Sequence, residues 1–337
     1  MSRPGTVRGI LNPRLPARST ARVEAGTHLE ADREYVVKVV SVINHKGGVG
    51  KTTLTANLGA GLAARGRKVL LLDLDSQASL TVSFFTQSEW QHDLVPDRTI
   101  KNWFEGLKGE GAETLSSLVA APQRVASFLS STGGTLDLVA AHRDLSEVDT
   151  ALAAQLLVDP QHYLAAHRRL REGLAEKAFA DYDVTLIDCA PNFGLIAKNA
   201  VAASDMLLIP TRPDYLSING IDSLGRKVQS FAQEYNEQLT AAGDGGAPLG
   251  RPPAAVVFTM VQLHDNQPIE AQRSYISRVE GLGVPTFQTT VRDSKAVYGP
   301  APEYGVPVIL AGTGRALTRE LRDLVSEMVQ HLDEVTA

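Results

Sequence analysis

Apolar runs recur along the chain at 36–43, 69–74, 136–139, 184–187, 206–209, 255–258 and 307–310, with helix-length segments between them. These runs are short, continuous and rich in Val, Ile and Leu, as expected of strands buried on both faces of a parallel sheet. Their order predicts an α/β fold, a mostly parallel β-sheet flanked by helices on both faces. After the first run, Thr52 to Arg65 reads as an Ala/Leu-rich helix, and a last, amphipathic helix is expected over roughly Gly314 to His331. The Gly/Pro/Ala-rich stretch from Ala241 to Pro253 reads as an exposed loop.

The junction between the first run and the first helix carries the clearest chemistry. Lys46-Gly47-Gly48-Val49-Gly50-Lys51-Thr52-Thr53 stands where a phosphate-binding loop belongs, between a strand and a helix N-terminus. Its glycines let backbone N–H groups turn inward around phosphate oxygens, Lys51 can reach the β and γ phosphates, and the Thr52 hydroxyl can ligate Mg²⁺. The ordinary pattern G-x-x-x-x-G-K-[ST] is not met: its first glycine falls on His45, and a second lysine, Lys46, precedes Lys51 by five positions.

Carboxylates follow at the ends of later strands. Lys68-Val-Leu-Leu-Leu-Asp73-Leu-Asp75 puts Asp73 and Asp75 on one face, since strand side chains repeat every two residues. The carboxyl end of a parallel strand opens onto the ligand crevice of such a sheet, so one acid can help hold hydrated Mg²⁺ and the other can orient water. Val184-Thr-Leu-Ile-Asp188 ends on a third acid, followed by Cys189-Ala-Pro191-Asn-Phe-Gly194, a segment placed to sense a γ phosphate. The lone cysteine is read as a small buried side chain. His45 is read as a neighbour positioning the loop backbone, and Trp90 and Trp103 as packing anchors.

The two-lysine loop resembles the deviant Walker A loop of the ParA/MinD family of P-loop ATPases, and the resemblance extends over roughly Tyr35 to Val325, closest to the Soj-like ParA partition ATPases. It implies ATP and Mg²⁺ as cofactors and ATP hydrolysis as the activity. Lys46 would then cross a nucleotide-sandwich homodimer to the partner's phosphates. The family's D-x-D-P-Q stands here as Asp73-Leu-Asp75-Ser-Gln77, making Asp75 the water-orienting residue and leaving the segment less rigid without the proline. Asp188 is the Walker B-type acid; with Thr52 and Asp73 it completes the implied metal set. The family's D-x-P-P keeps one proline, Pro191. Adenine contacts are expected, by analogy of fold, from Thr259-Met260 and the loop at Arg292. Site residues spread from Lys46 to Arg292 argue for one ATPase domain over 35–337, behind an arm at 1–34.

Composition narrows the destination. One cysteine allows no disulfide framework and no two-cysteine cluster bridge of the nitrogenase iron-protein kind. No apolar stretch approaches about 18 residues and no secretion signal is visible, so a cytoplasmic protein is expected. The scattered histidines make no metal motif. The acidic ending Leu332-Asp-Glu-Val-Thr-Ala337 speaks against a MinD-like membrane tail, and no tyrosine-rich tail suggests an autokinase. Net charge is −5, yet residues 1–23 hold Arg3, Arg8, Arg14, Arg18 and Arg22 and no acid, which reads as a mobile arm able to add phosphate contacts.

Partitioning is the function the resemblance leaves standing. It implies a nucleoid-associated ATP dimer that binds non-specific double-stranded DNA through Arg226, Lys227, Arg273, Arg278 and Lys295, and a ParB-like or other cargo adaptor that stimulates hydrolysis. The alternative is a regulatory ATPase that recruits protein partners without DNA. A purely structural protein is disfavoured because Lys51, Thr52, Asp75 and Asp188 are all present.

Overall fold

Six of the seven apolar runs are strands: β1 Lys38–Val42, β2 Lys68–Leu74, β3 Thr135–Val139, β4 Val184–Cys189, β5 Met206–Thr211 and β6 Ala254–Phe258. The computed structural model describes residues 38–106, 114–158 and 160–334; the arginine-bearing arm at 1–34 lies outside the described residues. The strands form one sheet in the order β3-β2-β4-β1-β5-β6, every adjacent pair parallel. The longer helices are α1 Lys51–Ala63, α2 Leu145–Val158, α3 Tyr163–Leu174, α4 Leu195–Ala203, α5 Tyr215–Ala241, α6 Glu270–Glu280 and α7 Arg315–Glu334.

Alternation along β2 shows how the layers are built. Leu70 and Leu72 join a core with Leu152, Leu170, Ile196 and Phe231 from α2, α3, α4 and α5. Val69 and Leu71 join the opposite core, with Leu54, Leu58 and Leu62 of α1 and Leu321, Leu324, Val325 and Met328 of α7. β2 is therefore buried on both faces, which explains the apolar run that it makes in the sequence. Trp90 and Trp103 are buried anchors as expected, and the Trp90 indole N–H donates to the Ala141 carbonyl at 3.0 Å.

The run at 307–310 is not a strand. Pro307 is the N-cap of a single helical turn, Val308–Ala311, which stops at Gly312 in the left-handed region (φ +67°). Proline has no N–H to give a ladder, and Ile309 donates its own to Asn57 Oδ1 of α1 at 3.0 Å. Val308 and Ile309 are buried against the α1 core. A short hairpin of β7 Leu263–His264 and β8 Gln267–Pro268, not expected from the sequence, follows β6.

Candidate active site

Register brings the acids together. Asp188 at the end of β4 lies level with Asp73 of β2 on one side and Val42 of β1 on the other. The loop leaving β1 therefore rises directly over two buried carboxylates. Gly50, the N-cap of α1, has φ +83° and no side-chain cap, so the helix's first N–H groups face outward undecorated. A Cβ added at Gly47 or Gly48 would meet no atom within 4 Å, so the loop borders open space. Uncapped N–H groups at a helix start beside an open concavity suit an anion.

Two distant side chains hold the loop. Asn44 donates to the Pro210 carbonyl at 2.9 Å and accepts from the Lys46 N–H at 2.9 Å, tying the loop to the end of β5. Thr259, at the exit of β6, donates its hydroxyl to the Val49 carbonyl at 2.7 Å in a buried contact. Thr259, expected on the adenine side, thus commits its hydroxyl to the loop. Met260 beside it has φ +54°, and its neighbour Val261 makes an isolated parallel bridge with Arg292, so the chain segments carrying Met260 and Arg292 run side by side. The Arg292 guanidinium itself is bound to Glu320, with Nε at 2.7 Å.

Lys51 is buried, and its Nζ has one long hydrogen bond, 3.4 Å to the Lys46 carbonyl. Burial lowers its pKa, while Asp188 and Asp75 oppose that shift. A buried ammonium so thinly partnered suits a phosphate. Thr52 donates its hydroxyl to Asp188 Oδ2 at 2.6 Å, while Asp188 Oδ1 is buried without a partner. Burial, and then Asp73 beside it, push the Asp188 carboxyl well above the usual carboxylate range. An orphaned carboxylate oxygen next to a threonine hydroxyl fits the Mg²⁺ that the loop chemistry implies. When bound, Mg²⁺ would neutralise charge on the phosphate oxygens.

Asp73 is placed differently from the expectation that it helps hold metal. Its Oδ2 accepts both the Thr81 N–H at 2.8 Å and the Thr81 hydroxyl at 2.7 Å, and its Oδ1 accepts from Asp75 N–H at 3.2 Å. Burial pushes it up to about 7 against those bonds. Asp73 thus ties the strand end to the next turn, and Thr52 with Asp188 is the better-prepared metal pair. Among the described residues no cluster of three or more His, Cys, Asp or Glu could hold an ion by itself, so phosphate and water must supply further ligands. Asp75 stands beyond the strand, half-buried, with Oδ1 accepting from Gln77 N–H at 3.0 Å. Cys189 is fully buried, and burial pushes its thiol up to about 12, in keeping with an inert core residue.

Lys46 does not project freely. Its Nζ lies 3.0 and 3.1 Å from the Asp214 carboxylate and 2.9 Å from Ser217 Oγ. Asp214 is also the N-cap of α5, accepting from the Ser217 N–H at 2.8 Å. His45 has its Nδ1 buried without a partner, and its pKa is lowered by burial and by Lys227 and Lys51. Of the basic residues read as DNA contacts, Arg226 and Lys227 lie on α5, Arg273 and Arg278 on α6, and Lys295 opens a one-turn helix. Arg226 is paired with Asp222 one turn back.

Strand, glycine loop and helix, with the buried lysine and the Thr52–Asp188 pair beneath, define a P-loop nucleoside triphosphatase, and Lys46 marks it as the deviant Walker A form. A family model described as an AAA domain matches residues 37–241. Sporulation initiation inhibitor protein Soj of Bacillus subtilis is 28% identical over 273 residues, covering 81% of this chain and 90% of its own. Chromosome partitioning protein ParA of Myxococcus xanthus is 28% identical over 278 residues, covering 82% of each chain. Apo McdA of Cyanothece shares the fold with a TM-score of 0.64 at 19% identity, over 87% of this chain and 100% of that one. The chain belongs to the ParA/MinD family of deviant Walker A P-loop ATPases, related to the Soj and ParA partition proteins. It is an ATP-hydrolysing enzyme with ATP and Mg²⁺ as its cofactors.

Proposed function

We propose that this ATPase is a partition carrier: it dimerises around ATP, binds non-specific double-stranded DNA in the nucleoid, and positions a chromosome, plasmid or other cargo through an adaptor that stimulates hydrolysis. Residues 35–337 would act as one ATPase domain, with the 1–34 arm adding phosphate contacts. The observation that carries the proposal is Lys46. The phosphate cradle has its own lysine in Lys51, so a second lysine at its rim is spare for phosphate binding within one subunit; Lys46, held here by Asp214 and Ser217, would exchange those partners for a second subunit's phosphates. Relatives named for chromosome partitioning and sporulation control support the same reading.

In this scheme Lys51 and the loop N–H groups hold the phosphates, Thr52 and Asp188 hold the metal, and Asp75 orients the attacking water. No helix among the described residues is long and apolar enough to cross a membrane. The apolar stripe of α7 is already spent on α1, which argues against a membrane-surface role for that helix and favours a cytoplasmic carrier.

The test is binding of the purified chain to a non-specific duplex with no nucleotide, ADP or ATP, at two salt concentrations, with Asp75→Ala holding the ATP state. Binding that needs ATP and weakens steeply with salt is expected. Dimerisation with ATP but no DNA binding would overturn the carrier reading and leave the protein-recruiting regulatory ATPase.

A further inference from the structure

The loop from Cys189 to Gly194 joins the metal-side acid Asp188 to α4, and its far end is held by a residue from another helix. Asp149 of α2 reaches across so that its Oδ1 accepts the Ile196 N–H at 2.8 Å, within the first turn of α4. Gly194, the N-cap of α4, supplies no side-chain cap, so the cap comes from Asp149. The approach is close enough that a Cβ on Gly194 would lie 2.0 Å from Asp149 Oδ2. Burial raises the Asp149 pKa and the Ile196 and Leu195 amides lower it, so the carboxylate is held by backbone N–H groups.

The surroundings connect this clamp to the chemistry. Asp149 lines an open cleft with Ser76, the residue after Asp75, and with Cys189, the residue after Asp188. Asn192, in the middle of the loop, lines it as well. Pro191 and Asn192 are exposed, whereas Cys189 is buried in the sheet. One end of the loop is therefore fixed by β4, the other by Asp149, and the intervening residues are the part free to respond to a phosphate.

We propose that Asp149 is a positioning residue for ATP hydrolysis, fixing the Gly194 end of this loop so that movement next to the γ phosphate is confined to Ala190–Phe193. This rests on hydrolysis occurring at the Lys51–Asp188 site. Asp149 touches neither substrate nor metal in this role; it determines where the loop stands when Asp75 and its water are in place. It also gives α2 a direct mechanical connection to the loop.

The experiment measures kcat, KM and equilibrium binding of a fluorescent ATP analogue with Mg²⁺ for the full chain and for Asp149→Leu, Asp149→Asn, Asp149→Ala, Gly194→Ala and the Asp149→Ala/Gly194→Ala double variant. Lys51→Ala serves as the reference that loses nucleotide itself. Asp149→Leu is expected to lower kcat tenfold or more while analogue affinity stays within about twofold. Asp149→Asn, which keeps one acceptor for Ile196, should recover a substantial part of that loss. Gly194→Ala should reproduce the defect from the other side, and the double variant should be no worse than Asp149→Ala, because the carboxylate that clashes with the new methyl is gone. Should Asp149→Leu fail to fold, Asp149→Asn and the double-variant cycle decide. Unchanged kcat in Asp149→Leu, parallel loss of analogue binding and kcat, or losses that multiply in the double variant would each overturn the proposal. Failure of the wild-type chain to hydrolyse ATP would instead strike the ATPase reading beneath it.

Discussion

Replacing Thr259 with valine removes one hydroxyl and nearly no volume, and it tests whether the phosphate cradle is held open from the far side of the sheet. The bond at stake is the 2.7 Å contact from Thr259 Oγ1 to the Val49 carbonyl, between residues 3% and 0% exposed. Removing the donor leaves a buried acceptor without a partner, which costs about 1–3 kcal/mol. Two outcomes are open to that carbonyl. Locked in place, it destabilises the whole fold; turned to water, it reshapes the loop. Open space beside Gly47 and Gly48 allows the second. We predict that the loss falls on nucleotide binding, where about 1–3 kcal/mol corresponds to roughly fivefold to a hundredfold weaker ATP affinity. Isothermal titration with ATP and Mg²⁺, alongside urea unfolding of the apo chain, separates the two. Thr259→Ser, which keeps the hydroxyl, should bind within about twofold of wild type. ATP affinity of the valine variant equal to wild type, with the deficit appearing only in unfolding, would refute the reasoning.

Three further outcomes are expected. Lys51→Ala should abolish both ATP binding and turnover, since Lys51 is the buried cation facing the cradle; wild-type turnover in that variant would remove its assigned role. Asp75→Ala should bind ATP near wild-type affinity while hydrolysis stalls by two orders of magnitude or so, because the residue is expected to orient water, not to hold phosphate; rapid turnover would place that function elsewhere. His167, buried between Tyr163 and Phe231, has its pKa lowered from 6.5 to about 4 by burial. It binds a proton in the unfolded chain before it does in the fold, so stability is complete above about pH 6.5 and falls as pH drops toward 4, by about 3 kcal/mol at 1.36 kcal/mol per pH unit. Urea midpoints at pH 7 and 4.5 should show that loss, and His167→Gln should lack most of it; an unchanged pH slope in the variant would assign the loss to other groups.

What the sequence made legible follows from how far apart the interacting residues lie. The six parallel strands are readable because strands buried in the middle of a sheet are mostly apolar runs, Val, Ile and Leu outnumbering the few polar residues among them. The 307–310 run misled for the same reason: four apolar residues carry no period, and Pro307, which starts a helical turn here, also suits the first position of a strand. Lys51, Thr52, Asp75 and Asp188 could be picked out because each stands in a local string with its own spacing. Asp73 shared that string, yet its carboxylate was claimed by Thr81, eight residues on, which spacing does not reveal. Thr259 and Asp149 had no string at all. Their partners, Val49 and Ile196, are 210 and 47 residues away and are backbone groups, which any residue could provide. Lys46 was recognised by its position, but its hold on Asp214 and Ser217 depends on where α5 begins.

The order of the sheet also sets a schedule for the chain's own synthesis. β1, which launches the phosphate loop, sits between β4 and β5, so its first neighbour is complete only at residue 189 and its second only at residue 211. The core face of α1 waits longer still, because α7 at 315–334 completes it. At roughly 5–20 residues per second, the loop emerges from the ribosome some tens of seconds before its last support. A nascent chain would therefore carry a finished nucleotide signature with no finished nucleotide site. The site would be complete only after residue 334 had been made.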